Sequence, residues 1–165
     1  DTKNPYAGNV ITDVGGLMKG GIQTEQKMAF GTMTNQNTNE ICYWYNSVDV
    51  TIHIFPTIYI ANKFPRGSCM FNAILAHEKK HVVVDREIVN KYAVIIGKTL
   101  KDEIASARIY GPVPKAKESL LGDKMRGRMK EILDSTTKQM SAERQRRQQE
   151  VDSLKEYERV NHQCK

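Results

Sequence analysis

"SCMFNAILAHEKKHVVVDREIV", residues 68–89, is where the hydrophobic period of the chain changes. Before it, apolar residues alternate. In "VDVTIHIF" (48–55), Val48, Val50, Ile52 and Ile54 face one way and Asp49, Thr51 and His53 the other, the pattern of a half-buried strand. After it, Met70, Ile74, Leu75, Val82, Val84, Ile88, Val89, Tyr92, Ile95, Ile96, Leu100 and Ile104 recur at helical spacing. Ser68, behind the breakers of "FPRGS", is placed to cap the helix. The period switch predicts an α+β protein, with a small, mostly antiparallel sheet in 1–66 and helices in 67–165.

The β-rich part reads as Lys27 to Thr34, "ICYWYN" (41–46), 48–55 and "TIYIA" (57–61), with Pro56 marking an edge or bulge. "AGNV" and the "GG" pairs at 15–16 and 20–21 read as loops and turns. Nothing stops the first helix before "GPVP" (111–114), and Gly97 is a weak breaker. A second helix is predicted from Lys115 through Met125, Met129, Ile132, Leu133, Met140, Val151 and Leu154. The two form a long hairpin closed at 111–114.

Composition sets wider bounds. The 165 residues suffice for one domain with its own core, and 39% hydrophobic with 27% charged residues is globular usage. No apolar run approaches the roughly 18 residues that span a bilayer. A net charge of +6 favours anionic partners in general. "AERQRRQQE" (142–150) reads as a solvated helical face, and without interleaved aromatics it argues against nucleic acid. The start "DTKNPYAG" lacks Met and a leader, as in a mature exported protein or a trimmed fragment.

Within the opening stretch, "HEKKH" (77–81) carries chemistry. Histidines at i and i+4 project from one side of a helix and can grip one ion. Zn²⁺ suits neutral imidazole and four ligands. Glu78, next to the first histidine, is placed to take a proton from water that the ion activates. Lys79 and Lys80 fall toward solvent.

These residues resemble the zincin-type metallopeptidases. The β-rich region, "SCMFNAILAHEKKHVVVDREIV" and the long helix together look like bacterial exported proteins classed as zinc-dependent proteases. The similarity covers residues 40–110, with a weaker echo in "QQEVDSLKEYERV". It implies a single zincin-like domain over 1–165, His77 and His81 as zinc ligands, and Glu78 as general base. The glycine and third histidine of the metzincin extension are absent.

A third ligand is required. Asp85 lies about 12 Å from His77 along a helix and suits a role orienting His81, or a surface charge. Glu103 would need a break near Gly97. If the hairpin folds about residue 115, His77 and His81 face the region of 150–154. Glu150, Asp152, Glu156 and Glu158 all lie there. Glu150 and Glu158 are nearest the apolar stripe; Asp152 is off it but inside the family-like segment. Tyr157 and His162 are candidates to stabilise an oxyanion, and His53 reads as sheet surface. "VDVTIHIF" or "TIYIA" offers an edge for an extended peptide.

The three cysteines allow three single pairings. The same register brings Cys69 and Cys164 together, a closure worth about 4–5 kcal/mol on the chain-entropy model; Cys42–Cys69 is the alternative. Either implies an oxidising compartment, periplasmic or secreted. The expected function is a zinc metallopeptidase acting on a peptide, protein or cell-wall substrate. The rival is a non-catalytic exported module that binds an anionic polymer or partner protein.

Overall fold

The computed structural model describes residues 15–106 and 108–164. The "AGNV" turn lies outside them. The elements run β1 (Gly16–Lys19), β2 (Ile22–Asn35), β3 (Glu40–Ile54), β4 (Thr57–Ile60), α1 (Cys69–Ser106), β5 (Tyr110–Pro114), a 3₁₀ turn (Lys115–Lys117), α2 (Glu118–Val151) and α3 (Leu154–His162). The fold is α+β, with small antiparallel sheets and two long helices. Among the described residues no helix is long and apolar enough to cross a membrane.

The division at residue 66 separates strand-rich from helix-rich sequence, but compactness divides the chain differently. One unit holds residues through 21, 54–86 and 144 onward; the other holds 22–53 and 87–143. Each therefore takes part of the β-rich sequence and part of both long helices.

In the second unit, β2, β3 and β5 form a sheet in that order. The runs 41–46 and 48–55 join into the single strand β3. Its side chains Ile41, Tyr43 and Tyr45 bury against Ile96, Leu100, Leu121, Met125, Met129 and Leu133. The Tyr45 hydroxyl reaches this core and donates to the Met125 carbonyl at 2.8 Å, so its polar tip is not stranded. Trp44 lies so close over Gly31 that a Cβ there would meet its ring at 2.1 Å. "GPVP" is not the expected hairpin turn but strand β5, whose Val113 pairs with Ile41. As the edge strand it tolerates two prolines, which cannot donate to a ladder.

In the first unit, β1 pairs antiparallel with β4, Gly16 opposite Ile60 and Lys19 opposite Thr57. The glycine-bounded segment read as a turn is thus a strand. Ser68 Oγ accepts from the Phe71 N–H at 3.2 Å and caps α1 as expected. Val160 of α3 packs on Ala73 and Ile74, with Ile60, Phe64 and Met70 around them. A disulfide joins Cys69 to Cys164 across 95 residues and fastens the end of α3 beside the start of α1. Cys42 is free, which removes the Cys42–Cys69 alternative.

Two helical details differ from expectation. α1 runs through Gly97 without the break that Glu103 would need as a ligand, and Glu103 pairs with Arg128 at 2.8 Å. The second helix does not continue through Leu154. It ends at Val151, and Ser153 turns extended (ψ 149°) before α3 begins.

Candidate metal centre

His77, Glu78, His81 and Asp85 all lie on the face of α1 that carries Ile74 and Ile88. They are buried to 5%, 4%, 8% and 1% exposure. Four polar or ionisable side chains so deeply buried must find partners, because desolvation without them costs several kcal/mol each. Partners of His77, His81 and Asp85 come from the end of α2 through the start of α3, and Glu78 finds its bond on β1.

His81 Nε2 lies 3.1 Å from Asp152 Oδ1, and His77 Nε2 lies 3.4 Å from the same oxygen. One ligand atom from each of the three residues falls within 4.8 Å of the other two. Zinc bonds of about 2.0–2.1 Å in a tetrahedron place neighbouring ligand atoms about 3.3 Å apart. The two contacts to Asp152 have that spacing, and two imidazoles with a carboxylate suit such an ion in chemistry. The Asp152 side chain is 38% exposed, which leaves the cluster open to solvent on that side.

The opposite ring nitrogens are engaged as well. His77 Nδ1 faces Glu156 Oε1 at 3.5 Å, and His81 Nδ1 donates to Gln148 Oε1. With both Nδ1 atoms turned to acceptors, both Nε2 atoms converge on Asp152. Glu156 is in turn gripped by Arg159 and by Lys80 at 2.5 Å. The Arg159 bond, opposed by burial and helped by Lys80, draws its carboxyl down to about 2. Asp85 is buried, not a surface charge. Its carboxylate takes a two-pronged bond from Arg144, at 2.6 and 3.0 Å, and a bond from Gln148 Nε2 at 2.7 Å.

Charge behaves accordingly. Burial raises the Asp152 carboxyl, but its bonds to His77 and His81 outweigh that and hold it well below 3.8. Burial opposes charge on His81, yet bonds to Asp152 and Gln148 lift it above 6.5. Glu78 is raised above 4.5 by burial, against the pull of both histidines and a bond from the Met18 N–H.

That last bond ties Glu78 to β1. Ladder bonds Ala61 N–H to Gly15 O and Phe55 N–H to Gly21 O fix the alternation. The main-chain groups of Leu17 and Lys19 therefore face β4, and those of Gly16, Met18 and Gly20 face the other edge. Met18 donates there to Glu78, and the Gly20 carbonyl accepts from Arg144 at 3.4 Å. A Cβ on Gly16 would come within 2.7 Å of Glu78 Oε1, so this close approach needs glycine. The strand edge beside Glu78 thus belongs to β1, not to the β3 or β4 segments expected from sequence.

Of the proposed carboxylates, the structure brings Asp152 to the histidines and leaves Glu150 and Glu158 outside. Glu150 pairs with Arg146 one turn back on the exposed face, and Glu158 is exposed. Both are nearest a stripe drawn through Met140, Val151 and Leu154, whereas the face that meets the histidines runs through Arg144, Gln148 and Asp152, and α2 ends before Leu154. The Tyr157 ring lies tilted beside His77, centroids 5.6 Å apart, and its hydroxyl donates to Asp152 at 3.3 Å. His162 is exposed and hydrogen-bonds the Glu158 carbonyl. His53 lies on β3.

Arg144 and Gln148 were missed, being absorbed into a run read as solvated. A signal existed: with Met140 and Asp152 they form the series 140, 144, 148, 152, one inward face at i+4 spacing. No family model, no curated protein and no solved structure matches this chain.

Proposed function

We propose that the protein is an exported zinc-dependent hydrolase that cleaves a peptide or related amide bond. His77, His81 and Asp152 are its metal ligands and Glu78 its general base. The observation that carries this reading is the meeting of two imidazole Nε2 atoms on one carboxylate oxygen at tetrahedral-edge distances. When bound there, zinc supplies a Lewis acid that polarises a carbonyl and acidifies water.

The chain's own residues divide the remaining work. Glu78 takes the proton from the attacking water and returns it to the leaving amine. A carboxyl raised by burial is better matched to both transfers near neutral pH. Tyr157, whose hydroxyl sits against Asp152, donates to the oxyanion that develops beside it. The outer edge of β1, beyond the Met18 N–H and Gly20 carbonyl that serve Glu78 and Arg144, offers its remaining main-chain groups to an extended substrate. A peptide, a protein or a peptide-bearing cell-wall polymer satisfies these contacts. The Cys69–Cys164 bond supports a periplasmic or secreted setting.

The test is hydrolysis of an unstructured protein or peptide mixture by the zinc-loaded chain. Turnover that disappears in Glu78→Gln, with zinc still bound, is expected. Turnover unchanged in that variant rejects the general-base role; zinc-free protein rejects the metal reading.

A further inference from the structure

Resting on that metal reading, we infer that Gln148 is a positioning residue. It fixes the His81 ring for coordination through Nε2, and a relay from Arg144 through the buried Asp85 locks Gln148 itself.

The orientation of the amide decides the matter. Gln148 Nε2 faces two groups that can only accept: Asp85 Oδ1 at 2.7 Å and the His81 carbonyl at 3.0 Å. Turning the amide over would break both bonds and set its oxygen against a carboxylate and a carbonyl. Oε1 is therefore committed to His81 Nδ1, where it demands a hydrogen. A neutral His81 that carries its hydrogen on Nδ1 has its lone pair on Nε2, facing Asp152.

Asp85 supplies the rigidity behind this. It is 1% exposed, and the guanidinium of Arg144 matches both its oxygens, so the carboxylate is neutralised and cannot rotate. The same arginine reaches the Gly20 carbonyl just past β1. His77 is treated differently: its Nδ1 contact, at 3.5 Å, is to Glu156, which also serves Lys80 and Arg159. The neutral amide leaves the centre with two neutral imidazoles and one carboxylate. A second carboxylate at position 148 would stand against Asp85.

The experiment uses the full chain, loaded with zinc, as wild type and as Gln148→Met. Chelator competition is expected to show zinc held 10- to 100-fold more weakly in the variant. The visible spectrum of the cobalt-substituted protein should change with it, which a merely structural residue would not cause. In zinc-loaded wild type, proton NMR should find a slowly exchanging His81 Nδ1–H with contacts to the Gln148 side chain. That measurement decides the question even if the variant does not fold. Equal zinc affinity in both proteins, or a freely exchanging Nδ1–H in wild type, overturns the positioning role alone. Wild type that binds no zinc overturns the metal reading and this role together.

Discussion

The inward face of α1 carries Ile96 and Leu100 in one unit and His77, Glu78, His81 and Asp85 in the other. The inward face of α2 likewise changes from Met125, Met129 and Leu133 to Arg144 and Gln148, ending at Asp152. The apolar set is buried, and so are the four polar residues of α1, while Arg144, Gln148 and Asp152 are half-buried; only the first set is what stability alone would select. Apolar layers gain about 25 cal/mol per Å² removed from water, whereas buried ionisable groups at best recover their desolvation cost. A fold that fills one stretch of a helix pair with methionine and leucine, and another with the proposed ligands and their supports, holds its apolar and its polar residues apart.

The contrast can be broken at several points, the largest effects first. His77→Ala or Asp152→Ala should abolish stoichiometric zinc, as read by elemental analysis of untagged protein after dialysis. Retained zinc would mean that the polar layers are packing and nothing more. Glu78→Gln should keep the zinc and lose roughly 10²- to 10⁴-fold in hydrolysis rate. It should also raise the melting temperature of the metal-free protein, because a neutral amide relieves the burial that lifts the Glu78 carboxyl. A variant that is less stable and fully active would contradict both statements.

Met129→Ala, in the apolar layers, should behave in the opposite way. The side chain is fully buried, and its truncation should cost about 2–5 kcal/mol in urea unfolding while zinc stoichiometry is unchanged. Loss of zinc from that variant would show that the two regions are not separable in function.

The smallest effect is on pH. His81 is raised above 6.5, so its stabilising contribution is complete below that value and is lost as pH rises through the folded-state pKa. Glu78, raised above 4.5 in the fold, also withdraws stability as pH rises. Asp152 is depressed, so its contribution is present above 3.8 and lost as pH falls through its lower folded value. Metal-free stability should therefore peak between 3.8 and 4.5, decline from there as Glu78 withdraws its share, and decline further above 6.5. Zinc affinity should rise with pH through a midpoint above 6.5, as His81 gives up its proton. Parallel pH profiles for stability and affinity would contradict this assignment.

Much of this was legible in residues 68–89, where period and motif coincide: the α1 helix, its Ser68 cap and the pair of histidines on one face. The Cys69–Cys164 bond and the opposition of His77 and His81 to the region of Asp152 followed from simple hairpin register. β1 was not legible, since four residues between glycines show no alternation. β5 was hidden because its two prolines signal a turn as strongly as an edge strand. The end of α2 at Val151 has no glycine or proline to announce it, and it breaks the phase of Glu158 from that of α2, while Asp152 stays on the face of Arg144 and Gln148. Arg144 and Gln148 escaped because a charged run reads as solvated unless its spacing is compared with the apolar face it extends.

Crystals grown with zinc and measured at the zinc absorption edge test the central claim most directly. The account predicts one anomalous peak within about 2.0–2.2 Å of His77 Nε2, His81 Nε2 and an Asp152 carboxylate oxygen. No peak at that position, or one ligated by other side chains with Asp152 turned away, would contradict it.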